Sequence, residues 1–260
     1  MELHTLGVRS GYTQADVTEF ARALTGWSVD GLGAGQLQGD PNAFTFRPRQ
    51  HEPGTRTILG RSYPQEGEAQ GRVALLDFVE APATATHIAT KLARHFAGDE
   101  PSPALVARLA ASFTRSRGDL ATLYATLIAS PEAWVATPTK FKTPWEWTIS
   151  ALRGLGYTQA GPLQIAALQT QLGQRVWKPG APAGWDDIAP SWAGPDALLR
   201  RVEVAQRLAA PLGERLDART LAPRLMPGSL GPATADQIAR AESPAGALAL
   251  MLVAPEFLRR

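Results

Sequence analysis

The 260-residue sequence has no cysteine, which excludes disulfides, thiolate nucleophiles and Cys-ligated metals together. Cysteine-free chains occur in reducing and oxidising compartments alike, so the compartment stays open. An excess of one charge sign is also missing. Twenty-six basic residues face 24 acidic ones, a net charge of +2, and so small a surplus gives too weak a field to argue for nucleic acid. Lysine supplies only four of the basic residues and arginine the rest, an imbalance that GC-rich coding explains without ligand chemistry. No apolar run approaches the roughly 20 residues that span a bilayer. The stretch from Met1 to Gly11 lacks the charged start and apolar core of a secretory leader and reads like the interior of a domain. Nucleophile and phosphate motifs are absent: there is no Gly-x-Ser-x-Gly elbow and no loop ending in Gly-Lys-Ser/Thr. Gly31-Leu32-Gly33-Ala34-Gly35 has closely spaced glycines, but no strand leads in and no helix follows at the required spacing, so it reads as a flexible loop.

What is present is an ordinary globular composition, 44% hydrophobic and 19% charged, which sets the chain apart from disordered ones. The length allows one large domain or two small ones. Helix signals recur. Thr13 with Asp16 forms a capping box ahead of Val17, Phe20, Ala21 and Leu24, which share one helical face; that helix should end near Thr25-Gly26. A second helix runs through Val73, Leu76 and Val79, and Pro82 opens a third carrying Ile88, Leu92 and Phe96. Ser102-Pro103 starts a helix through Leu105, Leu109 and Phe113, and Gly118-Asp119 precedes another through Leu123 and Leu127. Thr143-Pro144 with Glu146 is a further capping box, leading into Trp147, Ile149 and Leu152. More helices are expected near 160–173, 195–210, 233–242 and 244–253. The fold class that follows is mostly α: a multi-helix orthogonal bundle, either one helical domain over 1–260 or two helical halves, 1–142 and 143–260.

Two stretches break the helical pattern. In residues 28–63, Phe44-Thr45-Phe46 and Thr57-Ile58-Leu59 read as short strands of a small β-hairpin insert, about 43–60, joined around Pro48 to Gly54. Residues 174–194, rich in Trp, Pro and Gly, read as a long structureless loop; such loops are uncommon unless functional or packed as caps. A short internal echo links Leu127-Ile128-Ala129-Ser130-Pro131-Glu132 with Met251-Leu252-Val253-Ala254-Pro255-Glu256. Two similar helix stops, or a duplicated two-helix unit, would each produce it.

The candidates for chemistry are few. His51-Glu52 lies in a polar loop between the expected strands, where a histidine and a carboxylate suit a divalent metal or shared acid–base work. The plainer alternative is that both fix the hairpin by hydrogen bonds to backbone. No second histidine lies three or four residues from His51, and a His4–His51 pair is the metal hypothesis worth testing. His87 and His95 stand about two helical turns apart with Lys91 between them, a cation that opposes a shared metal; His95 and Arg94 read as helix-end groups facing the C-terminal dipole. Trp177, Trp185 and Trp192 suit stacking on a sugar, or equally the anchoring of irregular backbone in the core. Trp145 and Trp147 occupy odd positions in one helical turn and cannot both face the core. Arg47, Arg49, Arg56 and Arg61 gather near the hairpin, with Glu52 as a local counterion; they form either an anion patch or a solvated, partly paired face.

Taken together, several segments resemble a bacterial family catalogued as Domain of Unknown Function 1800. They are Glu2-Leu3-His4-Thr5-Leu6-Gly7, Tyr12 to Val17, Ala21 to Trp27, Phe44-Thr45-Phe46, His51-Glu52-Pro53-Gly54 and Ile58-Leu59-Gly60. Further on come Ile88 to Leu92 with Phe96, Ser130-Pro131-Glu132, Gly184-Trp185 and Pro255-Glu256-Phe257. The resemblance implies no established activity. It does imply relatives that look exported, often with twin-arginine leaders, and that commonly accompany a second exported protein resembling sulfatases and alkaline phosphatases. The relatives run longer at the N-terminus, so this chain resembles the C-terminal half or so of the family domain. They usually carry Asp after the loop histidine, where this chain has Glu52.

Three readings follow. The leading one is a helical scaffold or interaction protein of an exported bacterial system, with a sulfatase-like or phosphatase-like partner, no nucleic acid, no membrane span, and homo-oligomerisation left open. The second is a metal-assisted hydrolase using His51, Glu52 and His4, with a divalent metal as its cofactor. The third is a saccharide- or anion-binding module using Trp177, Trp185 and Trp192 with Arg47, Arg49 and Arg56.

Overall fold

Capping chemistry decides where the helices begin. In the computed structural model, which describes residues 1–8, 10–30 and 43–260, Thr13 Oγ1 accepts the Asp16 N–H and the Asp16 carboxylate accepts the Thr13 N–H at 2.7 Å. This reciprocal box opens α1 (Gln14–Ala23). Thr143 and Glu146 repeat it at the start of α6 (Pro144–Gly154), and Asp119 alone caps α5 (Leu120–Ile128). The glycine-rich Gly31 to Gly35 stretch lies outside the described residues.

The chain is mostly α. After α1 come β1 (Trp27–Val29), β2 (Phe44–Phe46), β3 (Arg56–Ile58) and β4 (Arg61–Tyr63), then α2 (Glu68–Glu80), α3 (Pro82–Ala97) and α4 (Pro103–Arg115). Beyond α5 and α6 lie α7 (Pro162–Gln171), α8 (Ala189–Trp192), α9 (Pro195–Ala209), α10 (Ala218–Leu225), α11 (Pro232–Ala239) and α12 (Pro244–Val253). None of the helices among the described residues is long and apolar enough to cross a membrane. Two compact units emerge, one from Met1–Lys91 with Pro103–Ala129, the other from Leu92–Ser102 with Ser130–Arg260.

In the first unit α1 packs on β3 and α2 around Leu6, Phe20, Ile58, Tyr63, Ala74 and Phe78, with Phe20 and Phe78 meeting edge to face at 4.9 Å. The two expected strands form, but not with each other. Phe44–Phe46 pairs antiparallel with Trp27–Val29, and Arg56–Ile58 with Arg61–Tyr63. The second pairing is set by Leu59 and Gly60, both left-handed (φ 51° and 74°), which fold β3 straight back into β4 as tight hairpin turns require. Leu59 is an unusual residue for that backbone; its N–H is held by Asp16 Oδ1 at 2.6 Å. Buried Gln70 ties the region together, its Nε2 donating to Gly54 O and Tyr63 O.

The second unit is built around α12, whose Ala247, Leu248, Ala249, Met251 and Leu252 are buried while Leu250 stays exposed. α9 packs along it and α10 and α11 flank it. Trp147 is fully buried and donates its indole N–H to Leu252 O at 2.8 Å, whereas Trp145 is half exposed. α10 has no clear sequence signal because Pro223 sits inside it. The 174–194 loop is not wholly irregular, since α8 lies within it.

Candidate functional site

In the first unit the loop after β2 presents His51 to a cleft of about 540 Å³, walled by Phe46, Pro48, Pro53 and Pro64 and edged by Glu66. The imidazole is oriented from behind. His51 Nδ1 lies 3.0 Å from Thr25 O, so the neutral ring carries its proton on Nδ1 and keeps a lone pair on Nε2. Thr25 also fixes the loop, because its Oγ1 accepts the Glu52 N–H at 2.8 Å. The Phe46 ring lies 5.6 Å from the imidazole. Gly26 (φ 85°) is required beneath them: a Cβ there would come within 2.9 Å of Arg47 O and of the Phe46 ring.

Glu52 does not join His51 in the cleft. Its carboxylate pairs with Arg22 at 3.5 Å and Arg56 at 3.4 Å. Arg56 is itself buried and donates Nη2 to Glu52 O and Pro53 O, so it staples the loop. Arg47 is half-buried, Arg49 is exposed, and Arg61 pairs with Asp77 at 2.7 Å. His4 is exposed, and nothing described brings it to His51; no group of three His, Asp or Glu able to hold a metal forms among the described residues. His87 is a packing residue. Its Nε2 donates to Leu3 O at 3.2 Å, and Gly7 lies so close that a Cβ there would stand 2.7 Å from Nδ1.

In the second unit the three loop tryptophans take different roles. Trp192 is buried and donates Nε1–H to Asp186 O, Trp185 is half-buried with its ring 5.9 Å from that of Trp192, and Trp177 is 97% exposed. The sequence reading missed an ion network centred on buried Lys140. Lys140, 1% exposed, pairs with Asp99 at 2.8 Å and Asp187 at 3.3 Å and donates to Asp187 O. Asp187 also meets His95 Nδ1 at 2.7 Å, so His95, an exposed residue in the last turn of α3, is tied into this network as well. Burial pushes the Asp187 carboxyl up, but the His95 hydrogen bond and the Lys140 charge outweigh it and hold the group below the ordinary aspartate range. Asp99 Oδ2 accepts the Ala189 N–H, fastening the start of α8. Nearby, Arg201 lies over the Phe141 ring at 4.7 Å and donates to Lys142 O. Burial pushes the Arg201 group down to about 10 and the Lys142 ammonium down to about 8. These partners lie 41 to 92 residues apart in sequence, and no local motif announces them.

The geometry defines a cysteine-free, mostly α protein with, among the described residues, two small antiparallel strand pairs, an oriented cleft histidine in one unit and a tryptophan loop clamped by ion pairs in the other. Residues 1–259 match the model of the family described as protein of unknown function (DUF1800), and the chain belongs to that family. No curated protein and no solved structure matches it.

Proposed function

We propose that the protein is a non-catalytic interaction protein of an exported bacterial system, engaging a protein partner through the surface around Trp177. The carrying observation is that indole, 97% exposed on a backbone with φ 54°. A non-glycine residue in the left-handed region costs on the order of 1–3 kcal/mol. Leaving a ring of roughly 200 Å² in water forgoes about 5 kcal/mol of burial at ~25 cal/mol per Å². The isolated fold gains nothing from either, whereas a partner that covers the ring does; exposed tryptophans are frequent anchors of that kind. Val176 and Trp145 are about half exposed as well, and the Trp145 N–H donates to Gln174 Oε1 at 2.7 Å, holding the start of α6 to the turn. Exposed Arg175 and Lys178 flank the ring, so a partner with an apolar pocket and an acidic rim is complementary. The resemblance of the sequence supplies the candidate partner, a co-occurring exported protein similar to sulfatases or alkaline phosphatases.

The hydrolase reading has less behind it, because the Glu52 carboxylate pairs with arginines and no three-ligand group accompanies His51 among the described residues. Titration of the co-occurring exported protein against wild type and Trp177→Ala tests the proposal. Complex formation weakened by tenfold or more, with an unchanged melting temperature, is expected. Equal affinity for both proteins, or no complex at micromolar concentrations, would overturn it.

A further inference from the structure

The same unit carries a second feature that does not involve Trp177: a cleft of about 470 Å³ lined by Gly180, Trp185, Asp186, Trp192, Asp196 and Arg200 among others. Its aromatic corner is formed by Trp185 and Trp192. The two indoles stand 5.9 Å apart and tilted by 56°, with Trp192 locked by its hydrogen bond to Asp186 O. Its polar edge is oriented too. Ser191 Oγ donates to Asp186 Oδ2 at 2.7 Å, leaving Oδ1 of that carboxylate for a ligand, and Arg200 holds Asp196 at 2.6 Å while Nη1 donates to Gln171 O.

The glycines in the wall, Gly173, Gly180 and Gly184, differ in backbone conformation. Gly173 and Gly184 are left-handed (φ 91° and 88°), so the turn accounts for them. Gly180 is not left-handed, and a Cβ placed on it meets nothing within 4 Å.

We propose that this cleft binds a neutral saccharide, with a pyranose ring stacked on Trp185. The C–H face of a pyranose suits an indole, and its hydroxyls suit carboxylate acceptors and a guanidinium donor. Two aspartates against one already paired arginine disfavour an anionic sugar, because a carboxylate or sulfate on the ring would meet uncompensated like charge. The volume falls in the ordinary range for small-ligand sites.

Isothermal titration with cellopentaose, xylopentaose, chitopentaose and a galacturonate pentamer tests it. At least one neutral probe should bind with a Kd below about 1 mM, and the uronate should bind at least tenfold more weakly. Trp185→Ala should weaken the neutral probe tenfold or more. That variant also removes core packing, so Gly180→Leu, which has open space for its side chain, supplies a second block; it should lose binding with the melting temperature unchanged. Trp177→Ala should bind the sugar like wild type, which separates this site from the partner surface. Absence of binding by all three neutral probes, preferred binding of the uronate, or full affinity in a folded Gly180→Leu would each overturn the assignment.

Discussion

Replacing Lys140 with methionine keeps the length and apolar stem of the side chain but removes the ammonium from between Asp99 and Asp187. Breaking a buried ion pair from one side costs about 3–5 kcal/mol, because the abandoned charge stays desolvated. Here the two carboxylates keep 27% and 32% of their side-chain surface in water, whereas Lys140 keeps 1%. Water therefore screens what is left behind, which places the loss near the lower end, about 3 kcal/mol. For a domain of this size that corresponds to a fall of roughly 9 °C in Tm. Urea unfolding at pH 7 measures the loss directly, and a cycle with Asp99→Asn isolates the pair, since removing the carboxylate in the methionine background should restore part of the stability. The pH dependence carries a sign. Asp187 has a folded-state pKa below its ordinary 3.8, so its ionised form stabilises the fold above that value, and the contribution disappears as pH falls through the lowered one. Wild type and Lys140→Met should therefore converge in strong acid. A loss under 1 kcal/mol at pH 7, or an equal loss with and without Asp99→Asn, would refute the reasoning.

Two further outcomes follow from other parts of the fold. Burial holds the Lys142 ammonium near 8 against an ordinary 10.5, so the unfolded chain binds more protons between those values and stability should rise with pH across that window; relative to Lys142→Met, urea unfolding at pH 7, 8.5 and 10 should show wild type gaining on the order of 2–3 kcal/mol. Gly71→Ala should lower stability by about 1–2 kcal/mol although alanine is the better helix former, because a Cβ in α2 would stand 3.0 Å from the Leu24 side chain and 3.1 Å from Ala23 O; thermal melts of the variant check it.

The parts of this molecule legible in its sequence are those set by neighbours a few residues apart. Thr13 with Asp16 and Thr143 with Glu146 could be read because a capping box closes within four residues, and helical spacing showed that Trp145 and Trp147 cannot both face the core, of which Trp147 is the buried one. Periodicity was less dependable on helices that are only partly covered: Leu76 and Phe96, on expected apolar faces, are both more than half exposed. The strand pairing was not legible, since Phe44-Thr45-Phe46 and Thr57-Ile58-Leu59 both carry strand signals and Leu59, expected in the second strand, instead makes the deciding turn in a left-handed conformation that propensity disfavours. The His51 loop was found, but the fate of Glu52 was not, because its partners Arg22 and Arg56 arrive from α1 and β3. Nothing in the sequence around Lys140 marks it as buried. Its burial depends on Asp99 and Asp187, 41 and 47 residues away, and separations of that size leave no local trace.

The interaction role rests on a single indole being solvent-exposed alone and covered in the complex. Oxidative footprinting followed by peptide mass spectrometry, on the protein alone and mixed with its co-occurring exported partner, tests that most directly. Rapid oxidation of Trp177 alone and at least tenfold protection in the mixture, with buried Trp147 slow in both, is the predicted result; Trp177 oxidising equally fast in the mixture would contradict it.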